Sequence, residues 1–196
     1  TTSGDLEFRG GAKELVFTST SGDLEVADAA LDLLDVHTGS GDVRVRSACA
    51  RALVETSSGD VRLQGLSGEL SVITGSGDVR SSFDSLSAGQ SVRVRTGSGS
   101  VTLFLPDAPL AGEARTNSGH IRSRFDGDWD RRKRRLNLGT AAGGAALDVR
   151  TGSGDIVLSK FMNCRRPALS VRPSGSRGER LSKIPDPRNP KKTKHQ

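Results

Sequence analysis

The chain has no tyrosine, one tryptophan and six phenylalanines among 196 residues. A core that takes its buried area from aromatic rings is thereby excluded, and valine, leucine, isoleucine and alanine have to supply it. Proline is missing until Pro106, which leaves the first half free of the residue that most often breaks a sheet. The two cysteines, Cys49 and Cys164, form neither a disulfide framework nor a metal-ligand spacing, and leave the redox compartment open. No apolar run approaches the ~20 residues that span a bilayer. No signal peptide is visible, although the chain opens at Thr1 inside a repeat, as a fragment or a mature form would.

Catalytic signatures are also missing. Of the three histidines, His37, His120 and His195, none stands at i, i+4 with a carboxylate, and none pairs with a cysteine at ligand spacing. His120 reads as a surface substitution, since a general base needs a positioned partner. The phrase TGSGD has neither the order of a nucleophile elbow nor the Gly–Lys–Ser/Thr of a P-loop. No cofactor is implied.

That phrase is what the chain has in abundance. TGSGD stands at 38–42, 74–78 and 151–155, with near-copies at 1–5, 19–23 and 56–60 and altered ones, TGSGS and TNSGH, at 96–100 and 116–120. The motif glycines are Gly4, Gly22, Gly41, Gly59, Gly77, Gly99, Gly119 and Gly154. Successive gaps are 18, 19, 18, 18, 22, 20 and 35, the period of a repeat architecture. The last gap is about two units, as if one copy had lost its motif.

Alignment on the glycine gives the local structure. The second residue after it is always aliphatic, from Leu6 and Leu24 to Ile121 and Ile156. Five before it stand Phe17, Val36, Val54, Val72, Val94, Ala114 and Val149. The spacing of two on either side is strand alternation with one face buried. Each unit reads as strand, corner, strand and variable link. Hairpins across each corner would give a meander, whereas stacked units would give a solenoid. Like residues at like positions favour stacking, because position k then lies ~4.8 Å above position k of the previous coil. The expected fold is all-β: a single-stranded parallel β-solenoid, right-handed by analogy with most parallel β-helices, with about 18–20 residues per coil over 1–160. Leu31, Cys49, Leu66 and Leu86 are expected inward on its third side.

The corner has two readings. Structurally, glycine permits positive φ, Ser and Asp can bond backbone N–H groups at the bend, and stacked threonines can bond each other. Functionally, Asp5, Asp23, Asp42, Asp60 and Asp78 would stack at coil spacing, where two charges repel by roughly 1 kcal/mol in water and about 3.5 at an effective dielectric near 20. Arg44, Arg62 and Arg80 stand two residues beyond three of these aspartates. Glu7 and Glu25 replace arginine in the first coils, so Asp5, Asp23 and Asp42 are the candidate cation ligands. The calcium nonapeptide separates Gly from Asp by one residue. Here they abut, which favours the structural corner.

Tandem T-x-S-G-D-[VIL]-x-[VIL] units of this length resemble the DUF4097 family of bacterial β-strand-repeat proteins, over residues 1–160. The resemblance implies a β-solenoid associated with the cell envelope and its stress responses, often described as adhesin-like, with no catalytic residues to carry over. Ser100 and His120 depart from the motif's Asp.

Charge is divided along the chain. The formal net charge is +6, yet residues 1–160 carry 19 Lys+Arg against 21 Asp+Glu, and 161–196 carry 10 against 2. The tail also holds five of the seven prolines and is expected to be disordered. Within the body, DGDWDRRKRRL at 126–136 is expected to form a loop leaving the rod. Arg131, Arg132, Lys133, Arg134 and Arg135 are its candidate contact for an anionic polymer, with no specific nucleic-acid fold around them. The reading is a non-catalytic, envelope-associated binding or scaffold module with an envelope polymer or protein as partner, open to end-to-end self-association. A calcium-stabilised surface repeat and a polysaccharide-active β-helix enzyme are the alternatives.

Overall fold

A computed structural model describes residues 2–139 and 144–160; the basic tail, 161–196, lies outside the described residues. Among the described residues every regular element is a strand. They run β1 Leu6–Arg9, β2 Glu14–Ser21, β3 Leu24–Ser40, β4 Val43–Ser58, β5 Val61–Ser76, β6 Val79–Phe83 and β7 Ser91–Ser98. Then follow β8 Val101–Leu105, β9 Leu110–Ser118, β10 Ile121–Ser123, β11 Asp128–Trp129, β12 Arg135–Asn137, β13 Ala145–Ser153 and β14 Ile156–Lys160. All fourteen belong to one sheet, and the repeats stack on one another in a β-solenoid-like arrangement.

Parallel pairing sets each repeat on the next. Leu24 pairs with Val43, Val43 with Val61, Val61 with Val79 and Val79 with Val101. β3, β4 and β5 run almost from corner to corner because no proline interrupts them. Register shifts near Ala27, Cys49 and Gly65 absorb the unequal links. The expected inward residues are buried, among them Leu31, Cys49, Leu66 and Leu86. One core column runs Phe17, Val36, Val54, Val72 and Val94 up the stack, each aliphatic side chain contributing roughly 1.5–3 kcal/mol of burial.

Above Val94 the chain order and the stacking order part. β13 lies between β7 and β9, and β14 between β8 and β10. The final coil, Ala145–Lys160, therefore fills a slot beneath the coil that precedes it in sequence. The core column continues Val94, Val149, Ala114. No motif copy has been lost in the long gap. That stretch holds an end hairpin and the route back.

The hairpin corrects the expectation of a loop leaving the rod. β12 pairs antiparallel with β9, placing Leu136 opposite Ala114, and β11 pairs antiparallel with β12. Leu136 is fully buried and extends the valine column by one further rung. An uncovered β9 would expose a row of backbone donors and acceptors; β12 takes them up.

Candidate functional site

The corners stack as a ladder. Their glycines have φ between +131° and +157°, a region closed to ordinary side chains. At Gly41 a Cβ would lie 2.1 Å from the carbonyl oxygen of Gly22, so the close approach of successive corners also requires glycine. Below Gly119, which tops the stack, each corner glycine N–H donates to a serine carbonyl of the next coil, as Gly22 does to Ser40 at 3.0 Å and Gly154 to Ser118 at 2.9 Å. From Thr38 to Thr151 the motif threonines are buried. They do not chain to one another. Thr38, Thr56, Thr74 and Thr96 each donate to the serine carbonyl two residues on.

The aspartates carry the ladder past the bend. Oδ1 of Asp5, Asp23, Asp42 and Asp60 accepts the backbone N–H of Asp23, Asp42, Asp60 and Asp78 in turn, at 2.8–3.0 Å. Asp78 accepts from Ser100 at 2.8 Å and Asp155 from His120 at 2.9 Å. His120 tops the stack, so no coil above calls for a carboxylate there, which accounts for that departure from the motif. The second oxygens meet arginine. Arg62 donates to Oδ2 of Asp60 at 2.8 Å and reaches Oδ2 of Asp42 at 3.8 Å. Arg44 likewise bridges Asp42 and Asp23. These half-exposed pairs are worth about 0–1 kcal/mol each, and they offset the repulsion between stacked carboxylates.

For the candidate cation ligands the consequence is direct. Asp5, Asp23 and Asp42 each commit one oxygen to a backbone donor, and Asp23 and Asp42 also face Arg44. Glu7 pairs with Arg9. Among the described residues no group of three or more His, Cys, Asp or Glu side chains is placed to hold a metal ion.

The five basic candidates sit on the end hairpin, and its turn divides them. Oδ1 of Asp130 accepts the N–H of Arg134 at 2.7 Å and of Arg135 at 3.1 Å, and Lys133 adopts φ +53°. Desolvation acts to raise the Asp130 pKa. The N–H groups of Arg134, Arg135 and Arg132, with the Arg132 charge, outweigh it and hold the carboxyl below its ordinary range. So tied, the turn brings Arg132, Arg134 and Arg135 together with Arg115 and Asn117 of β9 around a cleft of about 330 Å³. Arg131 and Lys133 do not line it.

Arg134 donates to the Asn117 carbonyl at 2.9 Å. Arg135 pairs with Glu113 at 2.7 Å, and Glu113 meets Arg150 at 3.3 Å. Arg150 also pairs with Asp148 at 2.8 Å, which Arg95 approaches at 3.3 Å. Arginines thus alternate with acids across the outer face of the last rungs. Sequence reading missed Arg115. Its only signal was its register position beside the corner, and nothing in the chain order announces that β12 will pair there.

The remaining candidates stay apart. His37 lies exposed between Asp35 at 3.2 Å and Glu55 at 3.5 Å. Buried Cys49 has a raised thiol pKa, chiefly through desolvation. His195 and Cys164 lie outside the described residues.

Parallel rungs, a glycine–aspartate corner ladder and an all-strand sheet define a β-solenoid-like repeat protein. The chain belongs to the Toastrack DUF4097 family, whose model matches residues 1–159. No curated protein and no solved structure matches it. Among the described residues no helix is long and apolar enough to cross a membrane.

Proposed function

We propose that this chain is a non-catalytic, adhesin-like binding and scaffold module of the bacterial cell envelope, working outside the cytoplasm, whose hairpin end holds anionic polymer. Its coil is right-handed and about 18–20 residues long, the period of the motif glycines. The observation that carries the reading is the arginine cluster of Arg115, Arg132, Arg134 and Arg135, which lines one cleft with a single carboxylate. That carboxylate, Asp130, is engaged by the backbone of its own turn. Arg115 makes no ion pair among the described residues, and the Arg132 side chain acts on Asp130 through its charge. A cluster of one sign concentrates polyanions through its field, and the guanidinium fork suits phosphate and carboxylate alike.

The rest of the repeat serves as a rigid mount. Its corner carboxylates are spread evenly up the stack and bonded to one another's backbone, unlike an acid–base pair gathered on one side. At the opposite end β1 and β2 each pair with β3 alone, so end-to-end association would use those edges.

Co-sedimentation of the whole chain with bacterial envelope fragments tests the reading. Binding is expected at low ionic strength, with loss in high salt and in the R115A/R132A/R134A variant. Undiminished binding by that variant, or no binding by the parent, overturns it.

A further inference from the structure

A second basic feature lies away from the hairpin, on the outward face of the strands that follow the corners. Pairing places Arg46, Gln64 and Ser82 in one row, and Arg62 and Arg80 in the row beside it. Successive rungs are ~4.8 Å apart. The sheet bends here. Register shifts after Arg46 and after Gln64, and Gly65 has φ +88°, where a Cβ would stand 2.8 Å from the Ser47 carbonyl oxygen. The bend opens a cleft of about 760 Å³, lined also by Asp84 and Phe104, within the ~300–1,000 Å³ typical of ligand sites.

The partners of these side chains are unevenly distributed. Arg62 is held by Asp60. Arg80 lies over the Phe104 ring, 5.2 Å from its centroid, and has no carboxylate partner among the described residues. The side chains of Arg46, Gln64, Ser82 and Asp84 make no hydrogen bond or ion pair among the described residues. Two arginines without acids call for an oxyanion. Beside them stand an amide, a hydroxyl and a carboxylate, all without partners. A bare anion would be repelled by Asp84, whereas a hydroxyl would donate to it.

We propose that this cleft binds an acidic saccharide, an oxyanion borne on a polyhydroxylated ring. Arg46 and Arg80 hold the oxyanion, while Asp84, Gln64 and Ser82 take the ring hydroxyls. The site is independent of the hairpin arginines, so either can fail without the other.

Calorimetric titration of the whole chain with trigalacturonate, its neutral methyl ester and inorganic phosphate tests the proposal. Saturable binding of trigalacturonate is expected, clearly tighter than that of the ester or of phosphate. R46A and R80A should each weaken it by about tenfold, the scale of one charge-assisted hydrogen bond. D84N should weaken trigalacturonate while leaving phosphate no weaker. R51A, which removes an exposed arginine paired with Glu69, should change nothing. Arg46 is exposed, and an unchanged thermal midpoint will show that R46A is folded. No binding, equal binding of phosphate or ester, or binding unaffected in the R46A/R80A double variant overturns the proposal.

Discussion

The backbone N–H of His120 donates to Oδ1 of Asp155 at 2.9 Å, although 35 residues separate them and the acceptor comes later in the chain. At the lower rungs the acceptor precedes the donor by 18 to 22 residues. One corner device thus serves both an ordinary succession of coils and a coil inserted out of turn. It follows that the motif aspartate acts through the rung above it, and that its value depends on whether such a rung exists.

Asp42→Ala is therefore expected to lower stability by about 1–3 kcal/mol, the cost of leaving a backbone donor without its charged acceptor. Asp42→Asn, which keeps one acceptor oxygen, should cost less. His120→Ala, at the top of the ladder, should stay within about 0.5 kcal/mol of the parent. Urea denaturation of the three variants checks the order.

The hairpin turn should respond to acid. The Asp130 carboxyl has a pKa depressed in the folded chain, so its contribution is complete above the unfolded value, near 4. It is lost as pH falls through the lower folded value. The protection factors of the Arg134 and Arg135 amides, which divide out the intrinsic pH dependence of exchange, should hold steady through the neutral range and fall only below about pH 4. Asp130→Ala should show the lowered protection factors already at neutral pH.

Ser81 occupies a core position between Leu63 and Leu103, fully buried, and its hydroxyl has no hydrogen-bond partner among the described residues. Ser81→Ala removes that unsatisfied group and should stabilise the protein by about 1 kcal/mol, read as a raised thermal midpoint. A lowered midpoint would mean that the hydroxyl has a partner in solution.

Much of this was legible in the chain. Alternation around each glycine placed the buried columns correctly from Leu24 to Val149, because a half-buried strand leaves a period of two in its residues. The corner role of Asp was foreseen in kind, although the acceptor's reach into the next coil was not. What stayed hidden was order in space. The sequence around Val149 is as good a rung above Ala114 as beneath it, since both sites present the same parallel edge. Leu136 gave no sign of being the last member of the valine column, because its neighbours carry neither the motif nor its spacing. Arg115 became part of the basic end only once Leu136 had found that place.

The inserted coil has a bearing on how such a protein can change length. Duplicating an interior unit, such as the one from Val43 to Asp60, adds a rung and leaves both ends as they were. The far end cannot be trimmed or extended so simply. Removing Ala145–Lys160 would leave a gap between two neighbours, and a unit added after it would have to emerge from the middle of the stack. At that end growth and shrinkage are thus kept out of the closure, and the terminal hairpin and the coil beneath it are inherited together.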